Sequence, residues 1–184
     1  TWTADQPSQA GGHFRVPMPG RSLPLAQAME ARGYADSFAL RLRHHNEALH
    51  NRHAPAAPMA RACYDAVETV RYEALGSRDY AGMRDNLEAS LLARIGGDPI
   101  TRAARPGDVP VQTALALMLR ERLTGQPVPD VAAGGVTLLR EWIEARAGAD
   151  FDALAAYIND QNAFQALTLD LLQHLELTRD EQAE

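Results

Sequence analysis

Lysine is absent: every one of the 18 basic residues is Arg. A P-loop sets a Lys amine against the β- and γ-phosphates, and Schiff-base or pyridoxal chemistry needs a Lys amine as nucleophile, so this polypeptide supplies neither. Cysteine is reduced to Cys63, which excludes an internal disulfide and any Cys-x-x-Cys zinc or redox site. Val and Ile together number 12 against 55 for Ala and Leu, which leaves little to build a sheet from. No apolar run approaches the roughly 20 residues that cross a bilayer, and no charged-then-apolar signal opens the chain; a cytoplasmic location without membrane contact is expected.

What remains is 184 residues, 46% hydrophobic, with a net charge of -6. Such a length suits one domain burying roughly 70% of its unfolded surface. The fold class expected is all-α: a compact orthogonal or antiparallel bundle of about seven helices behind a flexible N-terminal tail. Residues 1–22 are rich in Gly, Pro, Ser and Gln without periodicity and are assigned to that tail, with Phe14 and Val16 as the side chains able to dock. Residues 23–177 form the helical domain, and 178–184 the start of an acidic linker or simply the end of the segment.

Within the domain, Gly33 is read as stopping a helix over 23–32, and Asp36 as capping one over 36–52. The inner stripe of that second helix is Phe38, Leu42, His45 and Leu49. A third helix, 58–76, turns Met59, Cys63, Ala66, Val70 and Ala74 inward and ends at Gly76. A fourth, 77–95, carries Tyr80, Met83, Leu87 and Leu91 in register. After a loop over 98–108, a helix runs to Leu123 and closes at Gly125, and 126–130 is an extended connector. Further helices are expected over 135–147, 150–159 and 160–177, the first apolar on two sides and therefore central.

The densest local feature is RLRHHNEALHNRH at 41–53, with four of the six His. As a metal site it is poor: at about 100° per residue, His44 and His45 diverge, and His44 and His50 lie about 120° apart. Glu47-Ala48-Leu49-His50 fits the Glu-x-x-His of di-iron bundles, but no second copy exists. His45 reads as a core or half-buried histidine. Arg41, Arg43, His44 and Arg52 make a cationic flank on an acidic protein, suited to an acidic partner or to solvent alone. Nucleic acid fits poorly, because the remaining Arg residues are scattered and the total charge is negative. Cys63 lies on an apolar stripe and reads as an inert thiol. Arg61–Asp65 and Glu68–Arg71 have ion-pair spacing, and Arg71 with Glu73 forms a polar pair at a helix junction that either locks two helices or faces a partner. Neither a GxSxG elbow nor a glycine-rich nucleotide fingerprint is present.

Three stretches carry a family resemblance: LRLRHHNEALHNRHAPAAPMARACYDAVETVRYEALGSRDYAGMRDNL (40–87), PVQTALALMLRERLTGQPVP (110–129) and REWIEARAGADFDALAAYINDQNAF (140–164). Together they resemble the amino-terminal region of the CobT subunit of aerobic cobaltochelatase. The resemblance implies a complex that inserts cobalt into hydrogenobyrinic acid a,c-diamide with ATP, Mg²⁺ and Co²⁺ during vitamin B12 synthesis. In it, the large CobN subunit binds corrin and metal, and the AAA+ CobS subunit hydrolyses ATP. CobT assembles with CobS and ends, beyond an acidic linker, in a von Willebrand A domain whose Asp-x-Ser-x-Ser loop this sequence lacks. The family's metal contacts therefore do not transfer here, and only Asp180, Glu181 and Glu184 hint at the linker. The expected role is a non-catalytic assembly domain with no cofactor of its own, contacting CobS and CobN, with a second copy of itself as a further candidate partner. Candidate contacts are Arg41, Arg43, His44, Arg52, Arg71 and Glu73. The alternative role is a His-rich Co²⁺-handling module (His44, His50, His53) or a corrin-contacting one (Arg41, Arg43, Arg52).

Overall fold

Seven α-helices dominate the computed structural model, which describes residues 1–4 and 6–178. They are α1 (Leu25–His44), α2 (Glu47–His53), α3 (Pro58–Asp79), α4 (Ala81–Ile95), α5 (Val111–Thr124), α6 (Asp130–Ala156) and α7 (Gln161–His174). The all-α expectation holds. The acidic residues at 180, 181 and 184 lie outside the described residues.

The chain divides into two units, and α3 belongs to the second through Arg71 and to the first from Tyr72 on. Unit one comprises Thr1–His45 and Tyr72–Asp98. The segment expected as a flexible tail instead forms a small sheet of β1 (Trp2–Thr3), β2 (Ser8–Ala10) and β3 (His13–Pro17), in the order β1-β3-β2. β2 pairs antiparallel with β3 through Gln9↔Phe14, and β1 pairs parallel through Trp2↔Val16. Gly11, at φ 57°, supplies the positive φ that the β2–β3 turn demands. Order comes from docking: the Phe14 ring stacks on Phe38 of α1 at 5.6 Å, and Val16 is buried. The segment lacks enough apolar surface to fold alone, and α1 supplies the missing half.

α1 runs unbroken through Gly33, contrary to the expected stop, and packs along α4. A Cβ at Gly33 would overlap the Asn86 carbonyl oxygen, so this glycine lets two helix backbones approach rather than ending one. Gly76 behaves alike within α3, where a Cβ would strike Leu40. Leu40, Tyr72 and Leu87, with Met83 against them, form the core beside it. Leu42, assigned to an inner stripe, is exposed, because the buried face of α1 runs through Ser37 and Leu40, and Leu42 lies about 200° round the helix from Leu40.

Unit two comprises Asn46–Arg71 and Pro99–Glu184. The helix expected over 36–52 is split here: His45 is extended, and the Asn46 side chain accepts from the Leu49 N–H to cap α2 afresh. α6 absorbs the two helices expected over 135–147 and 150–159. It is the central element, burying Val136, Leu139, Ile143, Ala147, Phe151 and Leu154 between α5 and α7. Short 3-10 turns at Pro99–Arg102 and Pro106–Asp108 punctuate the loop before α5, and Ile100 of the first is buried where it meets α6. Gly125 closes α5 in the left-handed conformation, and Asp160 caps α7 through the Ala163 N–H. Met59, expected on the inner face of α3, is exposed.

Candidate functional site

A groove of about 370 Å³ opens on unit one, lined by Ala39, Leu40, Leu42, Arg43, Tyr80 and Met83. The local sequence explains its shape. α1 finishes with Arg41, Arg43 and His44 in its last turn, where cations favour the carbonyl end of the helix. α3 finishes at Asp79, and Tyr80 takes an extended conformation, φ -132°, before α4 begins. That corner keeps the phenol beside Met83, the next member of the α4 stripe, and both side chains line the groove. Leu40 is buried, whereas Leu42 is 54% exposed and Tyr80 39%. Arg43 has no ion pair, and the Tyr80 hydroxyl no hydrogen bond, among the described residues. The result is a greasy depression with an unneutralised cation and a phenol at its lip.

The other candidates in unit one are held inside it. The Glu73 carboxylate accepts from Ser37 Oγ at 2.6 Å and from Arg94 Nη2 at 3.2 Å. That carboxylate raises the pKa of the Arg94 guanidinium, and burial raises Tyr34 beside them. Asn86 Nδ2 donates to Asp36 at 3.0 Å across α1 and α4; burial nonetheless raises the Asp36 pKa. Glu73 is thus a hub joining α1, α3 and α4.

In unit two, Arg71 is only 1% exposed and Glu68 only 3%. Arg71 donates Nε and Nη2 to the two Glu68 oxygens at 2.9 and 2.8 Å, gives Nη1 to the Ile158 carbonyl at 3.2 Å, and stands over the Phe164 ring. The ion-pair spacing of Glu68 and Arg71 is realised as a buried fork, and Arg71 is structural in this position.

His50 is equally committed. Its Nε2 meets Asp65 Oδ1 at 2.7 Å, Gln165 Nε2 approaches its Nδ1 at 3.2 Å, and Tyr64 stacks on its face at 4.5 Å. A proton on Nε2, with Nδ1 accepting from the Gln165 amide, satisfies both contacts. Arg61 in turn grips both Asp65 oxygens at 2.9 and 3.0 Å and donates to Asn51. The His50–Asp65 pair has the geometry of a base and its orienting acid, but the far nitrogen faces an amide rather than a nucleophile. Burial raises the pKa of Tyr64 to about 12. Cys63 is likewise buried, its thiol pushed up to about 12, as expected of an inert cysteine.

The remaining histidines of the cluster are dispersed. His44 ends α1 in unit one, His45 is half-buried beside the Tyr72 ring at 6.2 Å, and His53 is exposed at the end of α2 in unit two with Arg52. No group of three His, Cys, Asp or Glu gathers into a metal site among the described residues. No helix there is long and apolar enough to cross a membrane.

Arg43 was legible as a surface cation, but Tyr80 and Met83 were hidden in an apparent helix stripe. The polar run Ser77-Arg78-Asp79 before Tyr80 was the available sign of a corner. The partnership of His50 with Gln165 spans 115 positions and leaves no local signal. In comparisons with known proteins, the family described as "Cobalamin biosynthesis protein CobT" matches residues 1–184, the whole chain. No solved structure matches.

Proposed function

The chain belongs to the CobT family of cobalamin biosynthesis proteins, and from that premise we propose that it is a non-catalytic assembly domain of the cytoplasmic cobaltochelatase. In this reading it docks the AAA+ CobS subunit and keeps it within reach of the large CobN subunit. ATP and Mg²⁺ are handled on CobS, and CobN holds Co²⁺ and hydrogenobyrinic acid a,c-diamide during insertion. A chain without Lys has no Walker A amine to contribute, which agrees with that division of labour.

One observation carries the reading. The side chains with most capacity for chemistry are spent on holding helices: His50 on Asp65 and Gln165, Arg71 on Glu68, and Glu73 on Ser37 and Arg94. For His50 to ligate Co²⁺ it would have to surrender one of those contacts. At the surface of unit one, apolar Leu42, Tyr80 and Met83 lie beside the Arg43 cation, the kinds of side chain that line binding faces.

The test is direct association. Mixed with purified CobS in a calorimeter and on a gel-filtration column, the chain should bind and co-elute. Absence of binding to both CobS and CobN would remove the assembly role. Turnover of ATP by this chain alone, or metallation of a tetrapyrrole by it, would remove the non-catalytic one.

A further inference from the structure

We propose that the groove between the end of α1 and the α3–α4 corner receives an acidic amphipathic helix of a partner protein. One apolar side chain of that helix rests on Leu40 and Met83 between Leu42 and Tyr80, and a carboxylate one turn away meets Arg43. The inference rests on the assembly reading above and adds the surface and the chemistry of what it takes.

Three features select this occupant. The groove holds about 370 Å³, the low end of the roughly 300–1,000 Å³ of small-molecule pockets, and it is more open than enclosed, which suits one or two side chains better than a macrocycle. Its exposed apolar members, Leu42 and Tyr80, flank buried Leu40, the pattern by which a helix is read in a groove through anchors on one face. Finally, its free polar groups are both hydrogen-bond donors: the Arg43 guanidinium and the Tyr80 hydroxyl lack partners among the described residues. A carboxylate complements both, whereas a basic segment would be repelled. Tyr and Arg at the rim of an apolar depression are also the residue types that dominate binding energy in protein interfaces.

The test uses the whole chain and purified CobS, with CobN as second probe, by titration calorimetry. Arg43→Glu should weaken binding by tenfold or more and Leu42→Gln by severalfold. Val131→Gln, at an exposed apolar position of α6 in unit two, should leave affinity unchanged. The exposed positions of Arg43 and Leu42 make loss of fold unexpected; circular dichroism and the melting temperature verify this, and Arg43→Gln offers a milder second variant. Raising salt should weaken the native chain more than Arg43→Glu. If the native chain binds while Arg43→Glu and Leu42→Gln bind equally well, the groove proposal falls and the assembly reading stands. If the native chain binds neither subunit, the assembly reading itself has failed. Self-association of the native chain in sedimentation, abolished by Arg43→Glu, would make the occupant a second copy and overturn the proposal as stated.

Discussion

At Gly33 an added methyl group would overlap the Asn86 carbonyl and stand 2.6 Å from Ser90 Oγ, whereas at Gly134 of α6 it would meet nothing within 4 Å. Both glycines lie inside helices, where Ala is favoured intrinsically by about 1 kcal/mol. Gly134→Ala should therefore stabilise the chain by about 0.5–1 kcal/mol. Gly33→Ala should destabilise it by about 1–3 kcal/mol despite the propensity gain, since the obstacle is backbone and cannot rotate away. Urea denaturation of the two variants reads the difference, and equal shifts of the same sign would refute the close-packing account. The same scale separates Glu68 and Arg71 from an ordinary surface pair. Glu68→Gln leaves a buried guanidinium without its counter-charge and should cost about 3–5 kcal/mol. The double variant Glu68→Leu with Arg71→Met should cost much less than the sum of the two single changes, because no buried charge is then orphaned. Additive losses would mean that the pair is screened by water.

Among the elements, α6 and α7 are joined near the C-terminal end of α7 by His174 Nδ1 and Asp150 Oδ2 at 2.8 Å. The Asp150 hydrogen bond and charge hold the His174 pKa above the ordinary 6.5. A histidine raised in the folded state stabilises it fully below its unfolded pKa, and the contribution disappears as pH rises through the folded value. Proton-detected titration should find His174 above 6.5 in the native chain and back near it in Asp150→Asn, whose stability should also lose this dependence on pH. An unchanged midpoint would show that the contact does not persist in solution. Helix ends set by local chemistry were legible in the sequence: Gly125 closes α5, and Asp160 opens α7 through its side chain. Ends inferred from Gly33, Gly76 and Gly148 were not, because a glycine that ends a helix and one that admits a neighbour are the same letter. The break at Asn46 was also missed. Its backbone N–H and carbonyl are taken by the Gln161 side-chain amide at 2.7 and 3.0 Å, a contact 115 residues away.

For the molecule as a whole, the question that composition raised is whether six histidines in an acidic chain make it a metal carrier. Family and fold class were readable, the first from long runs shared with CobT and the second from the excess of Ala and Leu over β-branched residues. The candidate site was only half readable. The cationic end of α1 stood out, but a groove depends on how the end of α1 meets the α3–α4 corner, and the periodicity of 77–95 put Tyr80 and Met83 on one face without showing that the face stays partly open. Metal capacity depends equally on tertiary partners. His50 looks available in the sequence, yet in the fold both ring nitrogens face polar partners, and His44 and His53 sit at the ends of different helices. A ligand that binds only the native state raises stability by about 2.7 kcal/mol at a hundredfold excess over its Kd. Addition of Co²⁺ should therefore leave both the melting temperature and the visible d–d region of this chain unchanged. His50→Gln should lower stability without altering either Co²⁺ response. A Co²⁺-dependent rise in melting temperature that His50→Gln abolishes would show that the ring leaves Asp65 for the metal, and cobalt handling would then belong to this chain.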